Sequence, residues 1–377
     1  MAHELFWLFV LMAVYTYVGY PLILALLTRS KTRPVKKDTI TPKVSVIVAA
    51  YNEEAHLQDK LNRLLSQDYT QGLLEIIVAS DGSTDGTDQI VESNRERGVL
   101  LCRVEGRKGK TAAQNHAVRM ASGDILVFTD ATTDIVEDGI RQIVQSFADP
   151  QVGCVGGHLV YVSREKSDVG RGGAGYWSYE KNLKRMEAAI GSLIGVSGCF
   201  YAVRRDIYED IPEHLISDFV VALGCVERGY RVAYEERAIS YEETLENPDK
   251  EFSMRVRVAV RSYGALWEKR VLMNPFKYGM FAWQLLSHKL LRYSMPLFML
   301  GTFVSNAFIL DQWFYALAFA AQSGVYLLAS VVQLTGAKSA GGLLSKPYYL
   351  VLVNAAVLVA LVKFLMGSRM ITWTPVR

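Results

Sequence analysis

Four short stretches place acids and lysines where phosphate and metal chemistry could be done. "VSVIVAAYNEE" runs from an apolar segment into Asn52 and Glu53, "LEIIVASDGSTDGT" into Asp81, and "ILVFTDATT" into Asp130. Between the last two lies "GRKGKTAAQN", in which Lys108 and Lys110 flank Gly109 just before a helix-compatible stretch. Lysines and backbone N–H groups at a helix start suit an anion, phosphate above all. A strand-end carboxylate beside such a loop suits a divalent cation that bridges to that phosphate. Thr132 stands where a second acid would complete the usual pair with Asp130, and Asp134 follows four positions on, where it could equally cap a helix. Singly, Asn52 or Asp81 would read as a cap or turn residue. Three acidic ends with a basic loop between them read as one site.

The elements that must position these residues follow from periodicity. The runs 44–50, 74–80 and 125–130 read as buried strands, and "NEEAHLQDKLNRLLSQ", "GTDQIVESNRER" and "GKTAAQNHAVRMA" carry helical spacing. Strand and helix alternating in this way predict an α/β domain with a mostly parallel, doubly wound, Rossmann-like sheet and right-handed crossovers. Ligands in such sheets bind beyond the carboxyl ends of the strands, where these residues lie.

The rest of the 377-residue chain is membrane-like in part. Leu5 to Leu27, Tyr293 to Leu310 and Gln312 to Ala337 contain no charged residue, and Pro347 to Gly367 contains only Lys363. A spanning helix needs about 20 apolar residues, so four crossings are expected, with Lys363 near a segment end where it can snorkel. The first segment lacks basic residues before it and a small-residue cleavage pattern after it, and reads as an anchor. "TRSKTRPVKK" after the first crossing and Lys289 and Arg292 before the second place the middle region in the cytoplasm. Arg369 and Arg377 then fall outside, against the rule. A net charge of +3 without a basic stripe excludes a nucleic-acid partner. Cys102, Cys154, Cys199 and Cys225 show no Cys-x-x-Cys spacing and read as reduced thiols.

These stretches, with "GVSGCFYAVRR", "LISDFVVALGCVERGYRVAYEE" and "MRVRVAVRS", resemble the membrane-bound branch of the family 2 glycosyltransferases. That branch has the GT-A fold and includes cellulose, hyaluronan and bacterial exopolysaccharide synthases. The resemblance implies a nucleoside diphosphate sugar donor, UDP favoured over GDP, held at Ala50, Tyr51, Asn52, Glu53 and Asp81. Lys108 and Lys110 would lie near its base or phosphates. It implies Mg2+ or Mn2+ at Asp130 with Thr132, and Asp218 of "ISDF" as the catalytic base. Arg261, with Arg257 as a second candidate, would grip the pyrophosphate. Gly198 and Cys199, with Tyr176 and Trp177 of the segment "GRGGAGYWSYEKNLKRME", would face the acceptor. Val258 and Ser262 replace the glutamine and tryptophan of the family's Gln-x-x-Arg-Trp element.

The expected organisation is a helix at 1–30, a GT-A domain at 41–254, interfacial helices at 255–292 and three crossings at 293–367. The expected activity is inverting transfer to a lipid-linked or growing polysaccharide at the cytoplasmic face of a bacterial inner membrane, with membrane lipid and other polysaccharide-assembly proteins as partners. A processive synthase and a non-catalytic nucleotide-binding scaffold are the alternatives.

Overall fold

The computed structural model describes residues 1–162, 168–243, 248–335 and 345–372, without the side chains of 168–177, 248, 335 and 345. The helices are α1 (Ala2–Val14), α2 (Tyr20–Ser30), α3 (Glu54–Leu65), α4 (Thr87–Ser93), α5 (Lys110–Met120), α6 (Gly139–Val144), α7 (Asp168–Ile190), α8 (Ser217–Glu227) and α9 (Pro248–Glu268). They continue with α10 (Pro275–Leu285), α11 (Leu291–Tyr293), α12 (Met295–Asn306), α13 (Trp313–Thr335) and α14 (Ser345–Leu365). The strands are β1 (Val44–Ala50), β2 (Leu74–Ser80), β3 (Val99–Arg103), β4 (Ile125–Asp130), β5 (Asp134–Ile135), β6 (Val152–Val162), β7 (Phe200–Arg204) and β8 (Arg231–Glu243).

All eight strands form one sheet in the order β3-β2-β1-β4-β7-β6-β8-β5. From β3 to β4 every pairing is parallel, as the alternating pattern predicts. Beyond β4 the sheet is mixed: β7 runs antiparallel to β4 and β6, β6 and β8 are parallel, and β5 is antiparallel to β8. The mostly parallel expectation holds, with the antiparallel pairings confined to the half beyond β4. The second half was harder to read because its strands lie far apart in sequence, with long helices between them.

Alternation along the central strands splits the core into two layers. Ile47, Ile77, Leu126 and Phe128 pack with Ala113 and Ala117 of α5 and with Phe219 and Leu223 of α8. Val46, Val48, Val78 and Val127 pack with Leu57, Leu61 and Leu64 of α3. Each valine, leucine, isoleucine and phenylalanine among them contributes about 1.5–3 kcal/mol on burial. The sheet is thereby rigid beneath the residues at its carboxyl edge. All four cysteines are unpaired, and Cys102, Cys154 and Cys225 are buried.

Among the described residues three helices are long and apolar enough to cross a membrane: Ala2–Ser30, Trp313–Leu334 and Lys346–Leu365. Within 293–310 the helix is α12, whose 12 residues at about 1.5 Å each reach about 18 Å, less than a hydrocarbon core of about 30 Å. It follows almost directly on α10, a π turn at Leu286–Leu290 and α11, so His288, Lys289 and Arg292 belong to the same helical run.

A buried polar cluster clamps this run to the N-terminal helix and to α7. Glu187 is fully buried, and its Oε1 accepts from the Tyr20 hydroxyl at 2.5 Å and lies 2.7 Å from His288 Nδ1. His288 Nε2 lies 3.5 Å from Glu180 Oε2, and Arg292 pairs with Glu180. The Trp283 indole donates to the Tyr15 hydroxyl at 2.9 Å.

Candidate active site

The sheet edge brings β1, β2 and β4 to one place. β1 gives out at Ala50, whose carbonyl accepts from Asp81 N–H at 3.0 Å, tying the first two strand ends together. Tyr51 lies under the Arg107 guanidinium, 4.1 Å from its ring centroid. Asn52 adopts a left-handed backbone at φ 54°, and its Oδ1 accepts from Thr84 N–H at 2.8 Å. Asparagine is among the few residues that visit this region readily, which explains the residue type. Glu53 is buried, and its N–H donates to Thr87 Oγ1 at 2.8 Å.

Asp81 is buried and accepts from Lys108 N–H at 2.8 Å and from Gly109 N–H at 2.9 Å. Burial pushes its carboxyl up, against the pull of these two N–H groups. Asp81 thus fixes the basic loop, and the exposed Lys108 side chain is free to meet a ligand. Gly109 has φ 94° and ψ 159°, open in practice to glycine alone. A Cβ there would also lie 2.5 Å from the Ile371 carbonyl oxygen, because the segment after α14 returns across the loop.

Lys110 opens α5, and its ammonium pairs with Asp130 at the end of β4 and lies 3.5 Å from the Gly198 carbonyl. Burial works against the Lys110 charge, but Asp130, Cys199 and Asp218 together outweigh it and raise the ammonium above its ordinary value. Thr132 is exposed in the turn after β4. Asp134 starts β5 and pairs with Arg63 at 2.8 Å. Glu242, near the end of β8, lies beside Asp130: one ligand atom each from Asp130, Cys199 and Glu242 lies within 4.8 Å of the other two. The Cys199 thiol donates to Glu242 Oε2 at 2.7 Å. Burial, then the nearby Asp130 charge, raise the Glu242 carboxyl. Two convergent carboxylates suit a divalent cation that prefers oxygen, such as Mg2+ or Mn2+.

Asp218 stands in the first turn of α8 and accepts from Phe219 N–H at 2.8 Å. Burial pushes its carboxyl above the ordinary value, and Lys110 opposes this. A Cβ on Gly198 would sit 2.9 Å from Asp218 Oδ2, so glycine leaves that carboxylate open. Cys199 follows at the same edge. Tyr176 and Trp177 lie in α7 outside the residues whose side chains are described.

The two arginines of α9 differ. Arg261 is buried and donates to Thr111 Oγ1 at 2.7 Å, to the Glu213 carbonyl at 3.3 Å and to the Leu215 carbonyl. Burial lowers its guanidinium to about 10. It braces α5 and the loop leading to Asp218. Arg257 is half-buried with no hydrogen bond or ion pair among the described residues, and it feels the Asp130 charge.

Four further side chains at the edge were not assigned to the site from sequence. Lys60 of α3 is buried and donates to Thr129 Oγ1 at 2.9 Å and to the Thr133 carbonyl, bracing the turn that carries Asp130. Its signal was legible: it interrupts the apolar stripe Leu57, Leu61, Leu64. Glu242 gave no signal beyond an acid-rich stretch. Lys184 and Lys289 are half-buried with no carboxylate partner among the described residues, and both act on Asp218. Lys289 Nζ lies 4.9 Å from the Phe219 ring centroid.

Residues 45–212 match the profile described as Glycosyl transferase family 2. These residues form a family 2 glycosyltransferase domain. A poly-beta-1,6-N-acetyl-D-glucosamine synthase of Staphylococcus aureus is 26% identical over 235 residues, 60% of this chain and 53% of that protein. The same synthase of Staphylococcus epidermidis matches equally, at 26% identity over 235 residues. The chain spans about half the length of the curated relatives it matches, 53%. Among solved structures, a mannosyltransferase of Pyrobaculum calidifontis in complex with GDP-Man and Mn2+ superposes with a TM-score of 0.71 at 24% identity. The match covers 97% of this chain and 99% of that one, so the shared GT-A fold takes in the transferase domain together with the flanking apolar helices.

Proposed function

We propose that this glycosyltransferase moves a sugar from a nucleoside diphosphate sugar to a lipid-linked or growing polysaccharide acceptor at the cytoplasmic membrane face, with inversion. The observation that carries it is the convergence, on one sheet edge, of Asp218, Lys110 and Asp130 beside a free Arg257.

Ala50 to Glu53 and Asp81 build the donor end, with the loop of Lys108 and Gly109 presented to the phosphates. Asp130 would hold Mg2+ or Mn2+, which would offset charge on the departing diphosphate. Arg257 reaches the same phosphates, while Arg261 acts through Thr111 and the Asp218 loop. Asp218 accepts the proton of the acceptor hydroxyl as its oxygen bonds to the anomeric carbon. The bond from that carbon to the diphosphate oxygen breaks and the diphosphate leaves with the electron pair. A single displacement inverts the centre. Gly198 and Cys199 border the acceptor, and Tyr176 and Trp177 of α7 would stack on it. Lys289, a cation that acts on Asp218 and has no carboxylate partner among the described residues, favours an acceptor that carries a phosphate next to the reacting hydroxyl.

The relatives are named for an N-acetylglucosamine polymer, which favours a UDP-sugar, while the fold neighbour was solved with GDP-Man. Turnover by the purified full-length chain in lipid, screened over UDP- and GDP-sugars with undecaprenyl-phosphate-linked acceptors, decides between them. Long products from the single chain would favour a processive synthase. Nucleotide binding without turnover across the screen would favour a scaffold.

A further inference from the structure

We infer that Glu242 is the second carboxylate of the divalent-cation site, supplied by β8 in place of an acid at Thr132. The inference rests on the metal-dependent transfer proposed above and names the residue that completes its site.

The geometry is set by strands. β4 runs into Asp130, and β8 is held on both sides, by β5 through Asp134 opposite Tyr241 and by β6 through Tyr161 opposite Glu242. Glu242 is therefore presented from a paired strand, whereas Thr132 is exposed in a turn and has no side-chain partner among the described residues. The ligand atoms of Asp130, Cys199 and Glu242 lie within 4.8 Å of one another. Bonds of about 2.1 Å place two oxygens of one ion at most about 4.2 Å apart, so a small inward shift suffices.

The charge arrangement agrees. Asp130 is met by the Lys110 ammonium, a cation already drawn to that spot, and among the described residues Glu242 is met by the Cys199 thiol alone. That hydrogen bond orients the Glu242 carboxylate, the task an outer partner performs for a ligand. On cation binding Lys110 would exchange Asp130 for the Gly198 carbonyl, 3.5 Å from its Nζ, and the diphosphate.

Mn2+ binding to the purified full-length chain, followed by the electron paramagnetic resonance of free Mn2+ with UDP or GDP present, tests this without turnover. Wild type is expected to bind one Mn2+ per chain. Glu242→Gln is expected to weaken that binding by at least the roughly 10- to 100-fold typical of second-shell losses. Thr132→Ala is expected to stay within about twofold of wild type, and Thr132→Asp to restore binding in the Glu242→Gln background. Full Mn2+ affinity in Glu242→Gln, or its loss in Thr132→Ala, overturns the inference and leaves metal-dependent transfer standing. The Thr132→Ala arm decides even where Glu242→Gln does not fold. A wild type that binds no Mn2+ with either nucleotide overturns both.

Discussion

At the scale of single residues, the site depends on a carboxylate kept basic and a glycine kept bare. Burial holds Asp218 above the ordinary aspartate value, and a general base works only when ionised. Activity should therefore fall as pH falls through that raised value, with the acid limb of the kcat/KM profile above the usual aspartate range of about 3.9. Gly109→Ala forces a side chain onto φ 94° and against the Ile371 carbonyl. Strain of about 1–3 kcal/mol is expected, read as roughly tenfold or more in donor KM. Donor KM unchanged in that variant would show that the loop does not hold the phosphates. Asp81 and Asp130 were legible because each closes an apolar strand run, and the two loop lysines because they flank Gly109 at the start of a helix. Glu242 was not, because only the β5–β8 and β6–β8 pairings bring it across from 112 residues beyond Asp130.

Among elements, α3 and α9 act on the site from behind. Lys60 is held below an ordinary lysine, at about 8 against 10.5, chiefly by burial. Below about 8 both folded and unfolded chains carry the proton, and the buried charge costs stability in full. Between about 8 and 10.5 the unfolded chain holds the proton that the folded one has released, so this group makes stability rise with pH. The rise is on the order of 3 kcal/mol. Thermal melts of the full-length chain across that window should show a steeper gain for wild type than for Lys60→Met. Equal slopes would mean that Lys60 titrates as in solvent. The parallel half of the sheet was readable from three unbroken apolar runs. The antiparallel half was not, because β7 is a five-residue strand and β6 joins it only at Cys154, Val155 and Gly156. Arg261 was read from the family pattern as a phosphate ligand, whereas its contacts here are with Thr111 and two carbonyls, a distinction that no spacing carries.

For the whole molecule, the transferase domain is joined to the apolar helices by a buried polar clamp in which Tyr20, Glu187 and His288 meet. Lys289 follows His288 of this clamp, lies 4.9 Å from the Phe219 ring centroid and acts on Asp218, and the proposed acceptor phosphate would meet it there. Lys289→Met should raise the KM of a lipid-phosphate acceptor about tenfold, the worth of one charged hydrogen bond, and leave donor KM unaltered. An equal rise with a phosphate-free acceptor would remove phosphate from the reading. The apolar segments were plain in the sequence, but the turn of helix between α10 and α12 that delivers Lys289 was legible only as a mixed basic and aromatic stretch. The proposed transfer joins these scales: Asp218 as base on one acceptor, beside a diphosphate that Asp130 would hold through a divalent cation. Transfer of labelled sugar by the full-length chain in lipid, with and without Mn2+, should proceed with metal and drop by about 10²–10⁴-fold in Asp218→Asn while donor binding persists. Transfer that survives in Asp218→Asn would contradict the assignment of the base.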